Sequence, residues 1–92
     1  MSYFVITKTL LFVDGEQKST SVEVDEHKQE VDAYAVLRNT AEQAVFKDKR
    51  AKLVKYETLD GPAKNPVRLD YEFTEEGRYR YEISLRVVKD VK

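Results

Sequence analysis

Two matched alternating runs near the C-terminus constrain this chain more than any other feature. Val67, Leu69, Tyr71 and Phe73 alternate with Arg68, Asp70 and Glu72; Tyr79, Tyr81, Ile83, Leu85 and Val87 alternate with Arg80, Glu82, Ser84 and Arg86. A period of two places the apolar side chains on one face of a strand and the charges on the other. Glu75-Glu76-Gly77 lies between the runs and reads as a three-residue hairpin loop with glycine at its left-handed position. This closure predicts Phe73 opposite Tyr79, Tyr71 opposite Tyr81, and an attractive Glu72–Arg80 pair on the charged face. The apolar face of such a ribbon must be covered by something else in the chain.

A helix is available to cover it. Over residues 26–49, Val31, Tyr34, Leu37, Ala41, Ala44 and Val45 recur at spacings of three and four, with Ala33, Ala35, Val36 and Phe46 widening the stripe. Asp25 is the expected N-cap. Acids gather at the start (Asp25, Glu26, Glu30, Asp32) and bases at the end (Lys47, Lys49, Arg50, Lys52, Lys55), the order that suits the helix dipole. Asn39-Thr40 is the weakest point of the run.

Residues 3–13 are β-branched and aromatic, and apolar on both alternating faces: Phe4, Ile6, Leu10 and Phe12 on one, Tyr3, Val5, Leu11 and Val13 on the other. That pattern predicts a central strand. Asp14-Gly15 is a hairpin signal, leading to a second strand over 18–24. A two-residue turn pairs Val24 with Val5, whereas a loop one residue longer pairs it with Ile6 and flips the apolar face. Residues 52–59 read as a further strand, and residues 60–66, rich in proline, as a loop. The expectation is an α+β fold of order ββαβββ, one helix packed on a mainly antiparallel sheet of about five strands, forming a single domain over residues 1–92.

Little in the chain points to catalysis. It has no cysteine, which removes disulfides, thiolate chemistry and cysteine-bound zinc. Its one histidine, His27, would have to serve any triad with Ser2, Ser19, Ser21 or Ser84, none of which sits in a nucleophile-elbow pattern. Asp25, Glu26, His27 and Glu30 could in principle gather around a divalent ion, but they also read as capping and dipole-favoured acids. Glycines stand singly in turns, so no phosphate-cradling loop is present. The abundant carboxylates read as one solvated, charge-paired face rather than a glycosidase pair. The expectation is a non-enzymatic protein without cofactor or metal.

Charged residues make up 36% of the chain, yet the net charge is only −1. A nucleic-acid partner must therefore rest on a local patch. Lys47, Lys49, Arg50, Lys52 and Lys55 form the one candidate, broken by Asp48. Stacking on Tyr79 and Tyr81 is not expected, because alternation puts those rings on the helix side. The doubly apolar first strand and the broad helix stripe suggest surplus apolar surface. Tyr3, Val5, Leu11, Val13 and Phe46 are the candidate interaction residues. The leading expectation is a small binding protein acting on another protein, or on a second copy of itself, with the nucleic-acid reading as its alternative. With no leader pattern or membrane-length apolar run, a cytoplasmic location is expected.

Overall fold

A computed structural model describes residues 2–47, 50–58 and 66–89; for residues 45–47 and 66 the backbone alone is described. Five strands and one α-helix follow in the order β1 (Tyr3–Val13), β2 (Glu16–His27), α1 (Glu30–Ala41), β3 (Lys52–Thr58), β4 (Pro66–Glu75) and β5 (Tyr79–Lys89). The sheet is antiparallel throughout, in the order β2-β1-β5-β4-β3. The expected α+β architecture is thus the one observed, with β1 inside the sheet as its two apolar faces require.

The helix packs on the face bearing Val5, Leu69, Tyr71 and Leu85. Ala33, Leu37 and Ala41 bring it down onto that face. The small alanines permit close approach, and Leu37 (0% exposed) fills the space between the layers. The tyrosine-rich ribbon turns the rings of its β4 and β5 strands to the same side: Tyr71 is in the core, and Tyr81 stacks on Phe73 with ring centroids 4.7 Å apart.

Several local expectations shift. The helix does not begin at Asp25. Asp25, Glu26 and His27 continue β2, paired with Val5, Phe4 and Tyr3. Those pairings satisfy backbone groups that a first helical turn would leave open. Gln29 takes the N-cap position without a side-chain cap bond, so only Glu30 and Asp32 supply acid to the first turn. Val31, expected in the buried stripe, is 67% exposed. The α-helix ends at Ala41 and continues as a π-helical stretch, Glu42–Lys47. Just before that change the Thr40 hydroxyl donates to the Val36 carbonyl at 2.8 Å, a back-bond that loosens a helix. The 60–65 part of the expected loop lies outside the described residues.

Both hairpins depart instructively from their simplest reading. The first has the two-residue turn, with Asp14 at φ 53 and Gly15 at φ 82, and Val13 faces Glu16. A bulge at Lys18 then moves the register so that Val24 faces Ile6. Thr20, Val22 and Val24 therefore lie on the sheet face away from the helix. The second hairpin is slipped by two residues from the expected register: Phe73 faces Tyr81, Tyr71 faces Ile83, and Glu75 faces Tyr79. Glu76 (φ 55) and Gly77 (φ 66) are both left-handed, and Arg78 donates its amide to the Glu75 carbonyl at 3.1 Å. The expected Glu72–Arg80 pairing is replaced by Glu72 opposite Glu82.

Candidate interaction surface

The sheet face away from the helix is a map of two halves. Across β1 and β2 it presents Phe4, Ile6, Leu10 and Phe12 beside Val24, Val22 and Thr20, with Lys8 among them. Across β3, β4 and β5 it presents charge. Reading along the rows, Glu57, Arg68, Arg86, Ile6 and Val24 neighbour one another; so do Lys55, Asp70, Ser84, Lys8 and Val22; so do Lys52, Glu72, Glu82, Leu10 and Thr20. Val22 and Val24 are each 57% exposed, so this band is open to solvent.

Two adjoining concavities mark the boundary between the halves. One, of about 410 Å³, is lined by Ile6, Lys8, Val22, Arg68, Ser84 and Arg86. The other, of about 310 Å³, shares Lys8, Arg68 and Ser84 and extends over Leu10, Val54 and the acids Asp70, Glu72 and Glu82. Asp70 ties the floor together. It accepts from the Arg68 Nε at 2.9 Å and from the Ser84 hydroxyl across the strand pair. Arg68 stands directly opposite Arg86, an unfavourable placement for like charges. Lys8 and Arg86 are exposed and form no ion pair among the described residues. The arrangement can receive an anionic group at Lys8 and Arg86 while apolar side chains rest against Ile6 and Val22. Ser84 donates to Asp70, and His27 lies apart from both, on β2 at the level of Tyr3.

The interaction residues expected from sequence are on the other side of the sheet. Tyr3, Val5, Leu11 and Val13 alternate onto the helix face; Val5 is 1% exposed and belongs to the core, with Tyr3 packed against it. Leu11 and Val13 are half-buried beyond that core. The side chain of Phe46 lies outside the described residues. On the outer face the exposed apolar side chains Val22 and Val24 lie beside the half-buried Ile6. The bulge at Lys18 decided which side these valines occupy, and no residue pattern announced it.

Of the basic cluster, the side chains of Arg50, Lys52 and Lys55 are described. Arg50 pairs with Glu75 at 3.0 Å and lies 5.5 Å from the Phe73 ring centre. Lys55 pairs with Glu57 at 2.7 Å, and Lys52 stands opposite Glu72. Lys49 and the side chain of Lys47 lie outside the described residues. The acids and histidine near the helix start do not converge either. Glu26 points to the outer face and accepts from the Ser2 hydroxyl at 2.8 Å, while Asp25 and His27 alternate to the helix face. No group of three or more metal-ligating side chains occurs among the described residues. The His27 Nε2 is buried without a hydrogen-bond partner among them. Tyr34 has its pKa raised above 10.0, by burial first and then by the neighbouring Glu30 carboxylate and Tyr3. No described helix is long and apolar enough to cross a membrane.

Comparison with protein-family models, with curated proteins and with solved structures found no match for this chain.

Proposed function

We propose that this chain is a non-enzymatic interaction protein that engages another protein through the outer face of its sheet and also associates with itself. The observation that carries the reading is the open apolar band around Val22 and Val24, bordered by the cations Lys8 and Arg86, which form no ion pair among the described residues. A contiguous exposed apolar patch rimmed by polar groups is what protein partners cover. The partner chemistry that fits is a carboxylate flanked by apolar side chains. The absence of cysteine suits a reducing compartment, and we place the protein in the cytoplasm.

Selection from a displayed peptide library against the immobilised chain tests this. Enriched peptides should carry Asp or Glu beside apolar residues, and the double variant Ile6→Glu, Arg86→Glu should lose them. Peptides that bind both chains equally would remove the outer face from the account. A nucleic-acid reading built on Lys47, Lys49, Arg50, Lys52 and Lys55 has less support, because Arg50 and Lys55 already face carboxylates. Low-salt titration with single- and double-stranded DNA and RNA addresses it, and salt-sensitive binding would bring it forward.

A further inference from the structure

Charges on the outer sheet face meet their own kind across the central strand pair and their opposites along it. Arg68 stands opposite Arg86, and further along the same two strands Glu72 stands opposite Glu82. On β3, Glu57 lies beside Arg68 and Lys52 beside Glu72; on β1, Ile6 lies beside Arg86 and Leu10 beside Glu82. One row therefore reads acid, base, base, apolar from β3 to β1, and the other reads base, acid, acid, apolar. The row between them holds Lys55, Asp70, Ser84 and Lys8. Arg86, Glu72 and Glu82 form no ion pair among the described residues. Like charges facing across a strand pair are destabilising, so each outer row lacks a neighbour that the other row could supply.

We propose that the outer faces of two copies pack together about a two-fold axis that crosses the strands at Ser84, each row lying over its inverse. An axis between the sheets and perpendicular to the strands keeps each strand over its own copy and reverses its direction. It sets Arg86 over the partner's Glu82 and Arg68 over the partner's Glu72, each twice by symmetry, and Ile6 over the partner's Leu10. Packed sheets hold their strands within about 30° of one another, and their twist opens the contact toward the corners. The three middle strands, β1, β5 and β4, therefore carry it, with Val22 and Val24 at its margin.

The middle row faces itself, and it is built to tolerate this. Ser84 is its shortest side chain and lies where the axis crosses the central strand. Asp70 is already met by the Arg68 Nε and the Ser84 hydroxyl, and Lys55 by Glu57. Lys8 has the like charge of its copy across the axis, but its long stem lets the ammonium turn toward the partner's Glu82. The inverted rows identify the occupant as a second copy. A uniform polyanion satisfies one row and is repelled by the other, whereas this chain carries both rows in the order and spacing required. Charged faces of this kind stay wet, so the charges select the partner more than they tighten its hold.

This pairing rests on the self-association part of the proposed function. It covers Ile6, Lys8 and Arg86, so the paired chain cannot take a carboxylate partner there until it dissociates. Light scattering and sedimentation of the full chain from micromolar to millimolar concentration, at low and at high salt, test it. The expected result is a dimer of the 10.7 kDa chain that weakens about tenfold or more as salt rises. Arg86→Glu and Glu82→Arg should each weaken it about tenfold or more, since two attractive contacts become repulsive. Both should stay folded by circular dichroism, because each change relieves a like-charge pair within the chain. Mixed in equal amounts, the two variants should dimerise with each other, since each supplies the charge that the other's row now lacks. A dimer indifferent to both variants, a dimer strengthened by salt, or a mixture that stays monomeric overturns the face-to-face pairing while leaving self-association standing. A monomer at millimolar concentration overturns both; if that monomer binds the selected peptides, the face is a site for a foreign chain alone. Glu82→Arg keeps Ile6, Lys8 and Arg86, so peptide binding by this variant reads the carboxylate site separately from the dimer.

Discussion

Replacing Leu37 with alanine is the sharpest test of which sheet face the helix covers. Leu37 is fully buried among Val5, Leu69, Tyr71 and Leu85, with Ala33 and Ala41 as its neighbours on the helix. Truncation removes the equivalent of three methylene-sized groups from the core, about 2.4 kcal/mol at roughly 0.8 kcal/mol each. The cavity left behind adds to this, because a thin core of one helix on one sheet has few side chains able to collapse inward. A total of about 3–4 kcal/mol follows, inside the usual range for buried leucine. A chain of 92 residues has roughly 5–14 kcal/mol of stability in all, so the variant should fold but sit near the edge of doing so. Urea denaturation followed by circular dichroism, at dilute concentration, should show a much lower midpoint with an unchanged slope. Val24→Ala, at a 57% exposed position on the opposite face, should cost under about 1 kcal/mol. Equal losses for the two variants, or a larger loss at Val24, would refute the assignment of faces.

Three further outcomes follow from local geometry. Gly15→Ala should destabilise the first hairpin by about 1–2 kcal/mol, because Gly15 sits at φ 82 where a Cβ is strained even though space is open around it; thermal melting reads this directly. Glu76→Gly should stabilise by a few tenths to about 1 kcal/mol, since Glu76 pays a left-handed penalty at φ 55 that glycine lacks. Tyr34 should ionise later than an ordinary phenol in an ultraviolet titration, because burial and the Glu30 charge both disfavour its phenolate. Its folded pKa lies above the unfolded value of 10.0, so its contribution to stability is complete below pH 10 and is lost as pH rises through the folded value. Glu30→Gln should move that ionisation back toward pH 10, and no movement would remove Glu30 as a cause.

The elements that carry their own periodicity were legible in the sequence. The bounds of β1 and the common face of Leu69, Tyr71, Phe73, Ile83 and Leu85 follow from alternation alone, and the helical spacing of Ala33, Leu37 and Ala41 marks the face that meets them. What escaped were features set by contacts distant in sequence. A two-residue slip in the second hairpin preserves every side chain's face, so alternation cannot detect it. In the folded chain the slip coincides with a tie between the two hairpin tips: Asp14 donates its amide to the Arg78 carbonyl at 3.0 Å, and the Arg78 Nε donates to the Asp14 carboxylate at 3.2 Å. The start of the helix escaped because Asp25–His27 carry acids suited to a helix start, yet β1 reaches far enough to pair with all three. The candidate surface escaped for a simpler reason. With β1 apolar on both sides, composition could not say which side the helix would claim, and the side on which Val22 and Val24 lie is set by one bulged residue at Lys18. The outer charges Arg68 and Arg86, or Glu72 and Glu82, come to face each other only once the register is known.

Solvent relaxation of methyl signals by a soluble gadolinium chelate tests the central claim most directly, since it needs no substitution. The Val22 and Val24 methyls should relax quickly, while those of Val5, Leu37, Leu69 and Leu85 stay shielded. Shielded Val22 and Val24 methyls beside fast-relaxing Val5 and Leu85 methyls would mean that the helix covers the other face, and that the open band described above does not exist.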